Sequence, residues 1–460
     1  MKSSNRLHFE VSERKVLLRV MDVLVCVLGL YVLSSLFDFS YFSITPDKWA
    51  WTLVLVFYLL LFATIFELYQ LPKTTEFNRV FKNCVLTSLL TVLFYLFTPF
   101  YTPSLPENRI QILYFFVGIL GSLSLWRWSY ITFISSPRFY KNTLIVGDSF
   151  DIEQLEHKLS AADPYYVVCG YIQTCNAPQK SELPQLKIED LDAFLEEQLI
   201  NEIIVYTPSA QGLDAELHEA LIGLLKRGYN IKKYAQVYEE LTQRLPVKDV
   251  TRDFYSYFPF SRSGQNKLYL FFTRVFDVLV SLLGLFFLIL ILPIVVLLNS
   301  IANRGPLFYR QIRVGRHGKC FSIYKLRSMV EHAEQNGAQY AKKNDSRITP
   351  FGKFLRRTRL DEIPQFINVL LGDMSVIGPR PERPEFVAEL KESIPFYEVR
   401  HVIKPGLTGW AQVNAKYAEN ETDSLEKLQY DLYYIKHRGL YLDFRIFLKT
   451  LSTIIFFRGQ

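Results

Sequence analysis

Asp361 and Glu362 stand side by side in RTRLDEIPQFINVLLGDMSVIGPRP, residues 357–381, and Arg356, Arg357, Arg359 and Arg380 crowd them. Adjacent carboxylates among guanidinium groups suit phosphoryl chemistry. One can act as a nucleophile. The other can hold Mg2+, which takes few carboxylates and completes its shell with phosphate oxygens. The arginines can neutralise charge on a transferring group. A structural salt-bridge cluster accounts for the same residues equally well at this point. At about 100° per residue, Asp361, Gln365 and Asn368 share one helix face. Ile363, Phe366, Ile367 and Leu370 take the opposite face.

Gly378-Pro379-Arg380-Pro381 predicts a rigid turn carrying one charged side chain, since proline fixes φ. Residues 304–360 hold fourteen Lys/Arg against three Asp/Glu, which locates most of the net charge of +7. Such a patch suits an anionic membrane surface. It equally suits a multiply charged phosphate substrate. A lipid phosphate would satisfy both. No nucleic-acid motif accompanies the patch, and a membrane segment directly precedes it, which argues against nucleic acid.

These residues need elements to hold them, and the composition says which. Half of the residues are hydrophobic and 15% are aromatic, with 37 Phe and 28 Tyr. Mean hydropathy is positive. Four apolar stretches of roughly spanning length (~20 residues) lie near 16–37, 49–68, 80–100 and 110–134. The first is too long for a cleavable signal and lacks its small-residue site. Lys2, Arg6, Arg14 and Lys15, then Lys73, Arg79 and Lys82, then Arg138 and Lys141 flank these stretches. The positive-inside rule therefore places the N-terminus and everything after residue 135 in the cytoplasm. No ionisable residue is expected mid-span, so the bundle reads as an anchor (1–137) rather than a transporter. Five scattered cysteines make neither a disulfide framework nor a metal site.

Strands alternate with helices over 142–240, which predicts a parallel, Rossmann-like α/β domain. Its first turn, Gly147-Asp148-Ser149, lacks the GxGxxG phosphate fingerprint. Residues 241–266 read as a linker. Leu268 to Ile301 is apolar and long enough to span, yet both of its flanks are basic: Lys267 and Arg274 before, Arg304, Arg310, Arg313 and Arg316 after. Pro293 interrupts it. A re-entrant helix over 267–303, broken at Leu292-Pro293, fits better than a crossing one. A mostly helical catalytic domain, 304–460, completes a membrane protein of α plus α/β class.

Residues 268–460 resemble the bacterial sugar transferase family, the polyprenyl-phosphate hexose-1-phosphate transferases. Four ordered blocks carry the resemblance: GPLFYRQIRVGRHGKCFSIYKLRSM (305–329), FGKFLRRTRLDEIPQFINVLLGDMSVIGPRPERPEF (351–386), KPGLTGWAQVN (404–414) and YDLYYIKHRGLYLDFRIFLKTL (430–451). The N-terminal half looks like the family's long form, more loosely. The resemblance implies that Asp361 is the nucleophile and that Glu362 helps bind Mg2+. It puts Arg356 and Arg380 on substrate phosphates, with Pro379 and Pro381 completing a turn near the nucleotide. Lys325, Arg327 and Gln365 join the phosphate- and nucleotide-binding positions. Leu292-Pro293 matches the break in the family's re-entrant helix, where shorter members often have Ser-Pro.

The implied reaction takes a UDP-sugar and undecaprenyl phosphate. Asp361 attacks the β-phosphorus, UMP leaves, and the lipid phosphate collects the sugar phosphate as undecaprenyl diphosphate-sugar. This would initiate exopolysaccharide, capsule or O-antigen (lipopolysaccharide) synthesis. The sugar stays open. Two other readings make different demands on the sequence. A membrane nucleotide-sugar dehydratase or epimerase would need GxGxxG and a Tyr-x-x-x-Lys pair. A non-catalytic scaffold would show erosion of Asp361 and Glu362, which are intact. An α/β domain without an evident ligand suggests a homodimer. The aromatic-rich segment 394–403 and the tail from Tyr430 fit either the membrane interface or core.

Overall fold

The computed structural model describes residues 11–37, 39–69, 77–134, 140–163, 166–174, 181–207, 213–250, 254–258, 266–331, 333, 345–415 and 420–455. The flanking cations Lys2, Arg6, Lys73 and Arg138 lie outside them. Packing divides the chain into two units, Met1–Tyr234 and Ala235–Gln460.

The first unit opens with four helices, α1 (Val11–Leu36), α2 (Trp49–Ile65), α3 (Phe77–Leu96) and α4 (Ile110–Ser129). Each coincides with an expected apolar stretch. Among the described residues of this unit, three runs are long and apolar enough to cross a membrane: Val16–Leu36, Pro46–Ile65 and Ile110–Phe133. The apolar part of α3, Val80–Leu96, is shorter. Along α1, Val16, Val20, Leu24 and Leu28 are exposed at a four-residue spacing while Leu18, Cys26 and Leu30 are buried. A lipid-facing stripe and a core stripe have that pattern. One expectation fails. Asp22 in the first stretch and Arg127 in the fourth are both buried and pair at 2.6 Å. The first stretch carries Arg19 and Asp22 and the fourth carries Arg127, few enough that hydropathy hides them. Only the packing of α1 on α4 shows that Asp22 and Arg127 neutralise each other.

Four parallel strands follow: β1 (Lys141–Gly147), β2 (Tyr166–Gln173), β3 (Glu202–Tyr206) and β4 (Asn230–Lys233), in the order β2-β1-β3-β4. Leu144, Val146, Ile172 and Ile203 of the strands pack with Leu191, Leu195, Leu217, Leu221 and Leu224 of the intervening helices. The parallel α/β expectation is met.

In the second unit the described part of the expected linker contributes to the core. Leu245, Val247, Val250, Phe254 and Phe258 are each at most 5% exposed and join Trp410, Leu432 and Ile446 in one cluster. Five large apolar side chains bury because water is a poor place for them. The same holds at 394–403, where Ile394, Tyr397 and Ile403 are buried and Phe396 stacks on Phe254. That segment belongs to the core, not to a membrane interface. In the tail, by contrast, Leu440, Tyr441 and Phe444 are exposed.

A helix runs unbroken from Lys267 to Ala302, 36 residues, or about 54 Å. The break expected at Leu292-Pro293 is absent. Proline removes one hydrogen bond, to the carbonyl one turn back. The buried stripe of Asp277, Ser281, Leu288, Val295 and Asn299 keeps its phase on both sides of Pro293, so packing carries the helix through. After it come an antiparallel hairpin, β5 (Phe308–Val314) and β6 (Cys320–Leu326), and a small parallel pair, β7 (Ser375–Ile377) and β8 (Gly406–Thr408). Helices account for most of the rest.

Candidate active site

The helix Pro350–Arg357 starts at Thr349, whose hydroxyl accepts from the Gly352 amide at 2.9 Å. Gly352 must lack a side chain, since a Cβ there would overlap the backbone of Ser328. The helix stops where Arg359 takes a left-handed conformation, φ 60°. The chain then enters a tight 3-10 turn, Leu360–Gln365, which holds Asp361 and Glu362. A second short helix, Phe366–Leu371, follows directly.

This geometry corrects the helical-wheel expectation. A 3-10 turn advances about 120° per residue rather than 100°. Asp361 and Glu362 line a cavity of about 1080 Å³, but Gln365 and Asn368 are not on its wall. Gln365 is buried, and its amide nitrogen has no partner among the described residues. Asn368 is wholly buried. It accepts from the Tyr324 amide at 3.2 Å and donates to the Ser322 carbonyl at 2.8 Å, pinning its helix to β6.

Arg380 reaches the carboxylates from a turn in which the carbonyls of Pro379, Arg380 and Pro381 are each engaged. The Pro379 carbonyl accepts from the Gly406 amide at 2.8 Å. That of Arg380 accepts from Arg400 at 3.1 Å, and that of Pro381 from Arg313 at 3.2 Å. Pro379 and Pro381 do not line the cavity; Arg380 does. The prolines act through rigidity. Gly406 and Gly409 lie so close beneath Gly378 that a Cβ on either would overlap its backbone. The block KPGLTGW is therefore the floor of this turn.

Around the carboxylates, Arg380 Nη2 lies 2.8 Å and Lys325 Nζ 4.0 Å from Glu362 Oε1, and Arg359 Nη1 lies 3.6 Å from Oε2. Burial pushes the Glu362 carboxyl up, but Arg380, Lys325 and Arg359 more than offset this and hold it well below the usual range. Asp361 goes the other way. Burial, then the neighbouring Glu362 charge, raises it to about 6 despite Lys325, Arg356 and Arg359. Its Oδ1 is buried with no partner among the described residues. Burial, with Arg380 beside it, lowers Lys325 to about 8. Two adjacent carboxyls thus differ in character: one a fixed anion, the other a base of near-neutral strength with an uncommitted oxygen.

Arg356 lines the cavity while its Nε donates to Ser328 Oγ at 2.9 Å. Arg327 also borders the cavity, but its guanidinium is spent on backbone. It donates to the carbonyls of Pro306 (2.7 Å), Arg304 (2.8 Å), Met329 (3.3 Å) and Asn303. It splices the end of the long helix to the hairpin, a structural task beside the phosphate role expected of it. Leu292 and Pro293 are not among the cavity-lining residues.

Several functional neighbours escaped the sequence reading. Arg400, buried, bonds Asp431 at 2.8 Å and Tyr397 at 2.6 Å while it grips the Arg380 carbonyl. Burial lifts Asp431 to about 6 even against Arg400. Arg274 donates to the Val369 and Leu370 carbonyls, both at 2.7 Å, and caps the helix after the Asp361–Glu362 turn. Asp277 accepts from Ser375 Oγ at 2.9 Å and the Val376 amide at 2.8 Å. A charged residue inside an apolar run was the available signal for Arg274 and Asp277.

Ten Lys/Arg and four Asp/Glu are among the residues lining the cavity, whose wall also includes Val280, Phe287, Ile363 and Phe366. It can hold a polyanion against an apolar body. Asp361 and Glu362 offer a divalent cation two carboxylates. No group of three or more His, Cys, Asp or Glu that could hold a metal occurs among the described residues.

The model of the family described as bacterial sugar transferase matches residues 268–457. A UDP-N-acetylgalactosamine-undecaprenyl-phosphate N-acetylgalactosaminephosphotransferase of Aeromonas hydrophila is 42% identical over 228 residues, 49% of this chain and 52% of that protein. A UDP-glucose:undecaprenyl-phosphate glucose-1-phosphate transferase of Xanthomonas campestris pv. campestris is 33% identical over 338 residues, 68% of this chain and 66% of that protein. The chain therefore spans between about half and two thirds of these relatives' length. The exopolysaccharide production protein PSS of Rhizobium leguminosarum bv. phaseoli is 38% identical over 184 residues, 39% of this chain and 92% of that protein. With the Asp-Glu turn, its cations and its glycine floor inside the matched region, the chain belongs to the bacterial sugar transferase family.

Proposed function

We propose that this chain is a membrane enzyme that transfers a sugar 1-phosphate from a UDP-sugar to undecaprenyl phosphate, the initiating step of a surface polysaccharide. The observation that carries this is the buried, uncommitted Oδ1 of Asp361 in a cavity that is cationic on one side and apolar on the other. The names of the Aeromonas and Xanthomonas relatives support the substrate classes.

Asp361 Oδ1 attacks the β-phosphorus. The bond from that phosphorus to the bridging oxygen breaks, and UMP leaves with the electron pair. A sugar-phosphoryl-aspartate remains. An oxygen of the lipid phosphate then attacks the same phosphorus, and the aspartyl bond breaks to restore the carboxylate. No proton need move and the phosphate bonds exchanged are similar, so no further energy source is required. Arg380, Arg359, Lys325 and Arg356 neutralise the transferring group. Glu362, kept anionic by its cations, and Asp361 would hold Mg2+ together with substrate phosphates. Bound there, the ion would shield the diphosphate from the attacking carboxylate.

The long helix supports a placement at the membrane surface. Arg274 and Asp277 near its start and Asn299 near its end all bond to the same unit. We read it as bending at Pro293, where the ring removes one helix hydrogen bond, so that the continuous helix enters and leaves one face, the cytoplasmic face of the inner membrane. The parallel sheet of the first unit is read as Rossmann-like, without the glycine fingerprint.

The test is UMP release from a panel of UDP-sugars in detergent with Mg2+ and undecaprenyl phosphate, beside Asp361→Asn. Release from one sugar, lost in the variant, is the expected result. Release that survives in Asp361→Asn would remove Asp361 as nucleophile.

A further inference from the structure

Gly284 sits in the middle of the long apolar helix, where glycine is a poor helix former. The structure shows what it serves. A Cβ at this position would overlap Cδ2 and Cε2 of Phe366 and stand 3.0 Å from Cζ. Phe366 is the residue that follows the Leu360–Gln365 turn, and it lines the cavity together with Asp361 and Glu362. The far end of its short helix is fixed by Arg274 at the Val369 and Leu370 carbonyls. The strand beyond is fixed by Asp277. The catalytic turn therefore hangs between two attachments to one membrane helix, and its near attachment is a ring laid on a bare backbone.

We propose that Gly284 is a positioning residue: the Gly284–Phe366 joint sets how close the Asp361 turn lies to the membrane helix. Ser281 and Leu288, about one turn to either side of Gly284 on the same helix face, are buried in the same stripe. A methyl group at 284 must push Phe366 outward, and the turn with it. Small displacements of a nucleophile are costly because in-line attack tolerates little misplacement. This inference rests on the transfer reaction proposed above.

The experiment compares wild type, Gly284→Ala, Phe366→Leu and the double variant, full length in detergent. UMP release and thermal melting are both measured. Gly121→Ala is the control, since a Cβ on Gly121 meets nothing within 4 Å. Gly284→Ala should lower kcat about 10- to 100-fold and leave KM for the UDP-sugar within about twofold. Alanine is the better helix former, so helix loss cannot produce this. The double variant, with room for the methyl, should be faster than Gly284→Ala and should melt above the sum of the single shifts. A double variant as slow as Gly284→Ala, or an unchanged kcat in Gly284→Ala, overturns the proposal. So do additive melting shifts. A wild type that releases no UMP, alongside coupled melting, would sink the reaction and keep the joint.

Discussion

Asp361 and Glu362 are neighbours in one turn, yet their surroundings push them apart. Glu362 is ringed by Arg380, Lys325 and Arg359 and stays ionised throughout the working range. Asp361, buried beside that anion, is raised to about 6. In the proposed reaction Asp361 attacks as a carboxylate, so kcat/KM for UMP release should fall as pH drops through about 6, and Asp361→Glu should move that acid limb. The same shift acts on stability with a definite sign. The folded state holds a proton that the unfolded chain has already released between the ordinary carboxylate value and about 6. The stabilisation is full below the unfolded value and is lost as pH rises through the folded one. Asp361→Asn should therefore raise Tm, by more at pH 8 than at pH 5. A Tm that falls at both values would mean Asp361 is a satisfied structural ion.

At the scale of elements, three pieces that mean little alone become one site. The 3-10 turn presents the carboxylates, β6 presents Lys325, and the Pro379–Pro381 turn presents Arg380. The last depends on β8, whose Gly406 amide bonds the Pro379 carbonyl at 2.8 Å. Backbone meets backbone there, so nothing flexible can yield to a side chain. Gly406→Ala should lower kcat about 100-fold, as misplacement near reacting atoms does, and should also lower Tm. Asn in place of Ala should do no better. If Gly406→Ala retains wild-type kcat, the glycine floor does not set the Arg380 turn.

The second unit as a whole is built around its membrane helix. A plain crossing would put the two ends of that helix on opposite sides of a hydrocarbon core of about 30 Å. Here Arg274 and Asp277 near one end, and Asn299 and Asn303 near the other, bond residues of one unit: Val369, Val376, Gly305 and Arg327. Single cysteines at Asn266 and Arg304, in a background without native cysteines, should react alike with an impermeant maleimide in sealed vesicles of defined sidedness. Labelling of one end only would mean that the helix crosses.

The sequence alone determined what periodicity and local chemistry control. Apolar runs of spanning length gave the four bundle helices and the long helix. Alternating strands and helices gave the parallel sheet, because hydrophobic spacing is imposed by local geometry. The Asp-Glu pair among arginines pointed to phosphoryl chemistry before any packing was known. Tertiary structure decided the rest, since each remaining question concerned which distant group lies opposite. It spent Arg327 on carbonyls, buried Asn368 against β6 and drew Leu245, Val247, Val250, Phe254 and Phe258 into the core. It carried a helix through Pro293, because one lost hydrogen bond is small beside a continuous packed stripe. It joined Asp22 to Arg127 from helices far apart in the chain. Only the fold left one Asp361 oxygen without a partner: burial and unlike neighbours are properties of three-dimensional surroundings, and no local pattern records them.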